Sequence, residues 1–320
     1  MRIGVLQALP GIGDMVWHIP AFRALAETAP DGKIILLARQ SSQAKYLFAA
    51  EPMIAEIIAL PDGRGPVKGI ATFFKTLAAL RAAKVDRIYI LHHGARFRVA
   101  AKLAGIPERF AYPPKKPKPW MDAYQKSIAW LETLGIRPKN KLSSLGVTES
   151  AKQKVAARFA AYPRPWFVLG AGATQESRCW PAENFGTLVQ KIQSEVGGSF
   201  FAIGTPKEKA RLESIVASCG PQTNARVVAD LPLDETLALL HKADAFIGND
   251  SGPSNAAAAV GCPCFVFYAL FARVPHSPLL HEIEPPAPEK NIAAITVDQV
   301  LNVLREKLFP TLTKPAPRNI

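Results

Sequence analysis

The stretch Asp244–Phe267, DAFIGNDSGPSNAAAAVGCPCFVF, decides how the rest of the chain is read. Ala245-Phe246-Ile247 is the end of a short apolar strand, and Gly248 to Pro253 is a run of turn formers. Ser254 and Asn255 then precede a small-residue helix, Ala256 to Val260. Gly261 is placed for a left-handed C-terminal cap, with Pro263 just beyond. Cys264 to Tyr268 is a second apolar run of strand length. The expected order is strand, glycine-bearing turn, short helix, strand. It sets a helix start beside the carboxyl end of a strand, where unpaired amides and the helix dipole favour an anion. One such terminus stabilises a nearby negative charge by roughly 0.3–1 kcal/mol, about twice that when partly buried. The same spacing also describes an ordinary capped helix in an α/β domain, and from spacing alone both readings stand.

With 320 residues the chain is long for one domain and comfortable for two. An apolar fraction of 48% with 20% charged residues belongs to a folded, globular chain. The net charge of +13 is unevenly placed: residues 1–160 hold 25 Lys and Arg against 11 Asp and Glu, and residues 161–320 hold 14 against 15. A basic first half suits an acidic partner, whether phosphorylated substrate, anionic membrane surface or nucleic acid, or serves solubility alone. No recognition-helix or stacking-aromatic pattern accompanies the charge, so nucleic acid is not expected. The start of the chain does not resemble a signal peptide, and the apolar runs are too short to span a bilayer. The expectation is a soluble cytoplasmic protein, with any membrane contact peripheral and on the cytoplasmic face. Cys179, Cys219, Cys262 and Cys264 lack metal-ligand spacing and read as buried, reduced thiols, so no metal site is expected.

Arg2 to Leu9 reads as a strand running into Pro10-Gly11-Ile12-Gly13-Asp14, followed by helical spacing from Met15 to Ala29 and a strand from Lys33 to Ala38. This βαβ opening carries its turn where doubly wound folds bind ligands. The third glycine of a nicotinamide-cofactor fingerprint would fall at Val16, and the second strand closes on Arg39 instead of an acid, so that cofactor is not expected. Asp14 reads either as a helix cap or as a general base at the mouth of the first strand. Val67 to Lys84 is a helix with Ile70, Phe73, Phe74, Leu77 and Leu80 assigned to its core side and Lys68, Lys75, Arg81 and Lys84 elsewhere. A membrane-surface helix is the other reading. Asp86 to Leu91 is a strand whose end carries His93, Arg96 and Arg98, basic groups expected on the ligand side of the sheet. Tyr112 to Trp120, YPPKKPKPW, reads as an exposed basic loop, either a lid over an acceptor or simply solvated.

Tyr162-Pro163-Arg164-Pro165 is a stiff connector, which sets the expected domains at 1–162 and 163–320. A second α/β half follows: strand Trp166 to Leu169, then Gly170-Ala-Gly172-Ala-Thr174, and a helix opened by Trp180-Pro181. Next come strand Phe200 to Ile203 with Gly204-Thr205-Pro206, a helix opened by Lys207-Glu208, the segment Leu231-Pro-Leu233, and a helix Asp234 to Lys242.

Three ordered motifs in this frame resemble family 9 of the glycosyltransferases, the ADP-heptose:lipopolysaccharide heptosyltransferase family. They are Gly13-Asp14 before an apolar helix, Gly170-Ala-Gly172-Ala-Thr174 with Ser177-Arg178-Cys179-Trp180-Pro181, and Asn249-Asp250-Ser251-Gly252-Pro253. The resemblance implies a GT-B architecture, two Rossmann-like doubly wound domains facing across a cleft. The first would bind acceptor and the second nucleotide sugar. It implies inverting, metal-independent transfer with no cofactor, a nucleotide sugar as donor and an acidic core glycolipid as acceptor. Asp14 would be the catalytic base. Gly172, Thr174, Arg178, Glu208, Leu231, Asp250, Ser251, Gly252 and Asn255 would bind donor, and Gly13, His93, Arg96 and Arg98 acceptor. Asn255 stands where the family usually carries His, and Arg178 where it usually carries Lys, keeping the charge and adding bidentate geometry. Heptose is the family's usual sugar and is not itself written in these residues. A catalytically silent nucleotide-sugar binder, or a member using another sugar, is the competing expectation.

Overall fold

Strands buried on both faces read as unbroken apolar runs, and that is how the centre of each sheet is written. In the computed structural model, which describes residues 1–62, 66–113, 123–172, 175–268 and 276–312, every residue of β1 (Ile3–Gln7) is buried. So is every residue of β6 (Trp166–Gly170), β7 (Ser199–Ile203) and β9 (Ala245–Asn249). All pairings in both sheets are parallel.

The chain forms two compact units, Met1–Gly146 and Val147–Ile320. The first holds β1 with β2 (Ile34–Arg39), β3 (Ile54–Leu60), β4 (Arg87–Ile90) and β5 (Glu108–Ala111), in the order β3-β2-β1-β4-β5. The second holds β6, β7 and β9 with β8 (Ala225–Val228), β10 (Cys264–Phe267) and β11 (Leu280–Ile283), in the order β8-β7-β6-β9-β10-β11. Strand order reverses at β1/β4 in one unit and at β6/β9 in the other, and doubly wound sheets bind ligands outside the carboxyl ends of such switch points.

A boundary at residue 162 would leave the helix Glu149–Phe159 with the first domain. In the structure it packs on the helix Leu233–Lys242 of the second unit. Phe159 lies edge-on to Phe201 and Trp166, so apolar packing across β6 and β7 holds this helix to the second unit.

The first helical segment differs from the single helix expected over Met15–Ala29. It is two helices, Ile12–Trp17 and Ile19–Ala26, joined at His18 with Pro20 in the first turn of the second. The helix Pro66–Ala83 differs more. Thr72, Thr76, Leu77, Leu80 and Ala83 are buried, while Ile70 and Phe74 face solvent instead of the core. The buried arc is centred on the threonine side of the wheel, which turns the Ile70–Phe74 stripe outward.

In the second unit the helix Ala182–Val196 lays Phe185, Leu188, Val189 and Ile192 against the sheet at helical spacing. Trp180, Phe200 and Phe267 complete that core. The four cysteines are buried and form no disulfide. No helix among the described residues is long and apolar enough to cross a membrane.

Candidate active site

The glycines at the β6/β9 switch point are there for close approach. Gly170 and Gly248 are register partners, and a Cβ on Gly248 would collide with the Gly170 carbonyl. With no side chain between them, the loops that leave β6 and β9 start side by side. Asn249 then joins the two loops. It is fully buried, donates from Nδ2 to the Ala171 carbonyl at 2.8 Å, and accepts the Trp180 amide at Oδ1 at 3.0 Å.

The helix Gly252–Ala259 starts four residues earlier than the run of alanines suggests, with Pro253 in its first turn. Proline fits there because its missing N–H would have no intrahelical acceptor. Ser251 is therefore the N-cap, and Ser254 Oγ accepts the Ser251 amide at 3.1 Å. The Ser251 hydroxyl is buried and has no hydrogen-bond partner. A buried hydroxyl left unpaired is costly unless something else meets it.

Beside this helix start, Arg178 Nη2 donates to the Asp250 carbonyl at 2.9 Å and to its carboxylate at 2.5 Å. Burial raises the Asp250 pKa, and the Arg178 charge opposes the rise. On the neighbouring strand ends, Glu208 Oε2 accepts the Thr205 amide and hydroxyl at 2.8 and 2.7 Å. Its Oε1 lies over Gly172, where an added Cβ would strike it. Leu231 follows β8, half-buried. The carboxyl ends of the adjacent strands β8, β7, β6 and β9 thus carry Leu231, Glu208, Gly172 and Asp250–Gly252 in spatial order. Thr174 lies outside the described residues.

Asn255 sits inside the helix, buried, and donates from Nδ2 to the Ser251 carbonyl at 2.7 Å. Its Oδ1 meets Nε2 of His276 at 2.7 Å, which makes Nε2 the protonated ring nitrogen. His276 is fully buried, its Nδ1 has no partner, and desolvation lowers its pKa to about 4. Sequence reasoning missed this residue. It lies 21 positions from Asn255, and no local spacing joins the two.

In the first unit, Asp14 stands in the first turn of its helix and accepts the Gly11 amide at 3.0 Å. It therefore caps the helix, which leaves its second carboxylate oxygen for other work. Burial raises its pKa above the ordinary 3.8, opposed by the Gly11 hydrogen bond. Behind it, Nδ1 of His18 donates to the Asp14 carbonyl at 2.6 Å. The His18 ring is buried, lies against Phe22 and is held neutral with a pKa of about 4, chiefly by desolvation. Buried Gln7 accepts the Leu9 amide at 2.7 Å and lies 3.3 Å from His18. Gln7 and His18 were also missed, although His18 is four residues from Asp14 and so falls on its helical face. Gly13 is buried in the same helical turn.

The basic segment after β4 divides by role. His93 donates from Nδ1 to the Pro113 carbonyl at 2.9 Å, and Arg98 donates to the Tyr112 carbonyl at 3.1 Å, so both brace the end of β5. Arg96 lies over the Phe97 ring at 4.7 Å. His92 is pushed to a pKa of about 4 by burial and then by the charges of Arg96 and Arg39. Tyr112, expected in an exposed loop, is buried against His93 and Trp130, because its ring completes that aromatic cluster. Residues 114–120 of the loop lie outside the described residues. A cavity of about 390 Å³ opens here, lined by His93, Tyr112, Lys126 and Trp130 among others, a size that suits a small ligand.

Residues 109–283, more than half of the chain, match glycosyltransferase family 9 (heptosyltransferase). Lipopolysaccharide heptosyltransferase 2 of Escherichia coli K12 is 25% identical over 305 residues, covering 87% of this chain and 84% of that protein. Among solved structures, the glycosyl transferase family 9 protein of Veillonella parvula superposes with a TM-score of 0.81 at 18% identity, covering 97% of each chain. The E. coli ADP-heptose lipopolysaccharide heptosyltransferase II superposes at 0.78 and 23% identity, covering 97% of this chain and 99% of that one. These likenesses give the fold as GT-B, with two Rossmann-like parallel sheets. The chain belongs to glycosyltransferase family 9, whose members are enzymes that use nucleotide-sugar donors.

Proposed function

We propose that this glycosyltransferase moves heptose from an ADP-linked donor onto an acidic, lipopolysaccharide-core-type acceptor, with inversion at the anomeric carbon and without a metal. The observation that carries the reading is the start of the helix Gly252–Ala259. There a buried, unpartnered Ser251 hydroxyl and the helix dipole stand beside an Arg178 fixed by Asp250. These groups are the kind that stabilise a leaving diphosphate, and they are in place before the charge develops.

In this reading the acceptor hydroxyl oxygen attacks the anomeric carbon. The bond from that carbon to the diphosphate oxygen breaks, and the proton passes to the Asp14 carboxylate. The products are an inverted glycoside and a nucleoside diphosphate. A carboxylate whose pKa is raised by burial is a stronger base than a free one, which suits Asp14 to the transfer. Glu208 Oε1 would meet the ribose, and Leu231 would pack against the base. That the E. coli relative is a lipopolysaccharide heptosyltransferase and the E. coli structure an ADP-heptose enzyme supports heptose and ADP as the donor's parts. The excess of positive charge in residues 1–160 supports an acidic acceptor.

The test is a thermal-shift panel of ADP-, UDP- and GDP-linked sugars, followed by transfer assays with Asp14→Ala. ADP-linked sugars should raise the melting temperature most. Asp14→Ala should keep that shift and lose transfer by about a hundred- to ten-thousandfold. Stabilisation by another nucleotide class would overturn the donor assignment, and retained turnover would remove Asp14 from the mechanism.

A further inference from the structure

A helix that packs on a sheet ordinarily turns its large apolar residues inward. Two neighbouring helices of the first unit bury Leu77, Leu80 and Phe97 in that way but also leave large apolar residues outside. Ile70 is 66% exposed and Phe74 62% on the helix Pro66–Ala83, and Val99 is 49% and Leu103 53% on the helix Ala95–Leu103. The exposed side chains form one face. Arg81 lies seven residues after Phe74, on the same stripe of its helix, and reaches the Leu103 carbonyl at 3.2 Å. Arg96 and Lys102 fall on the same side of the second helix as Val99 and Leu103.

The charge on this face is all of one sign. Lys75, Arg81, Arg96 and Lys102 lie on it, and the two helices contain no Asp or Glu. Large apolar side chains interleaved with cations, and no acid, are the composition of a surface that sits at a lipid headgroup boundary. We propose that the face formed by these two helices docks the protein on an anionic lipid bilayer. A second copy of the chain fits less well, because a two-fold contact through this face would set like charges opposite one another. The proposal does not depend on which sugar is transferred, since no donor residue lies on either helix.

Flotation with phosphatidylcholine vesicles, with and without phosphatidylglycerol, tests it on the full chain in the absence of substrate. The protein should float with the anionic vesicles, and added salt should weaken the binding. Phe74→Ser or Leu103→Ser should each lower the partition coefficient by about tenfold, the order for one large apolar side chain left in water. Lys75→Gln and Lys102→Gln should each lower it by about fivefold on anionic vesicles and leave binding to neutral ones unchanged. The nucleotide-sugar thermal shift should be unaltered in all four variants, which keeps a folding defect or a wrong donor assignment distinguishable from loss of docking. Wild-type protein that fails to float, serine variants that float equally well, or a dimer in sedimentation velocity that dissociates in Phe74→Ser would each overturn the proposal.

Discussion

Replacing Asn249 by alanine should weaken the second unit and the proposed donor site together. The side chain is fully buried, and its two hydrogen bonds end on groups that are themselves buried: the Ala171 carbonyl and the Trp180 amide. No solvent can replace the lost partners, so each should cost about 1–3 kcal/mol, or roughly 2–6 kcal/mol for the pair. That is a large share of the 5–15 kcal/mol typical of a folded domain. Urea unfolding should show a lower midpoint with an unchanged slope. Hydrogen exchange at the Trp180 amide should speed up, because that N–H loses its acceptor. The loops after β6 and β9 carry Gly172, Arg178 and Asp250, so the KM for nucleotide sugar should rise more than kcat falls. Asn249→Asp separates the two bonds. It keeps an acceptor for Trp180 but sets a buried carboxylate against the Ala171 carbonyl, and should cost at least as much as alanine. An Asn249→Ala protein within about 0.5 kcal/mol of wild type, with Trp180 still protected, would refute the account of how these loops are held.

The acid limb of kcat/KM should lie above the ordinary aspartate pKa of 3.8, because burial raises Asp14, and Asp14→Asn should abolish transfer at every pH. His18 and His276 are held neutral with pKa values of about 4, so as pH falls from 6.5 towards 4 the unfolded chain takes up protons that the native chain does not. Stability should drop across that window by on the order of a few kcal/mol, read from urea midpoints, and His276→Gln should remove part of the slope. Gly248→Ala should be destabilising by about 1–3 kcal/mol or more in thermal denaturation, since its Cβ meets the Gly170 backbone. By contrast, Gly69→Ala in the helix Pro66–Ala83 meets nothing within 4 Å and should stabilise by about 0.5–1 kcal/mol.

What the sequence made legible was whatever physical chemistry writes locally. Apolar runs without alternation mark the doubly covered strands, and Gly261, at φ +91°, ends its helix as its position after the alanines predicts. Errors came where one residue serves two structures. Pro253 and Gly252 read as turn because they so often are, yet the first turn of a helix needs no N–H from proline, so the helix begins among the apparent turn residues. Ile70 and Phe74 share helical spacing with Leu77 and Leu80, and periodicity alone does not say where on the wheel the core begins. β3, β5 and β11, which lie at sheet edges, are short or carry polar residues and escaped notice for that reason. Asn255 is the case that tertiary structure alone decides. Its amide stands where the family usually carries an imidazole, and the fold brings an imidazole to it from His276. With Asn255 also bonded to the carbonyl of the helix cap, His276 is linked through one amide to Ser251, whose hydroxyl is left buried and unpaired. A histidine far along the chain thus helps to set the group proposed to meet the leaving diphosphate, and only the way the strands are wound puts it there.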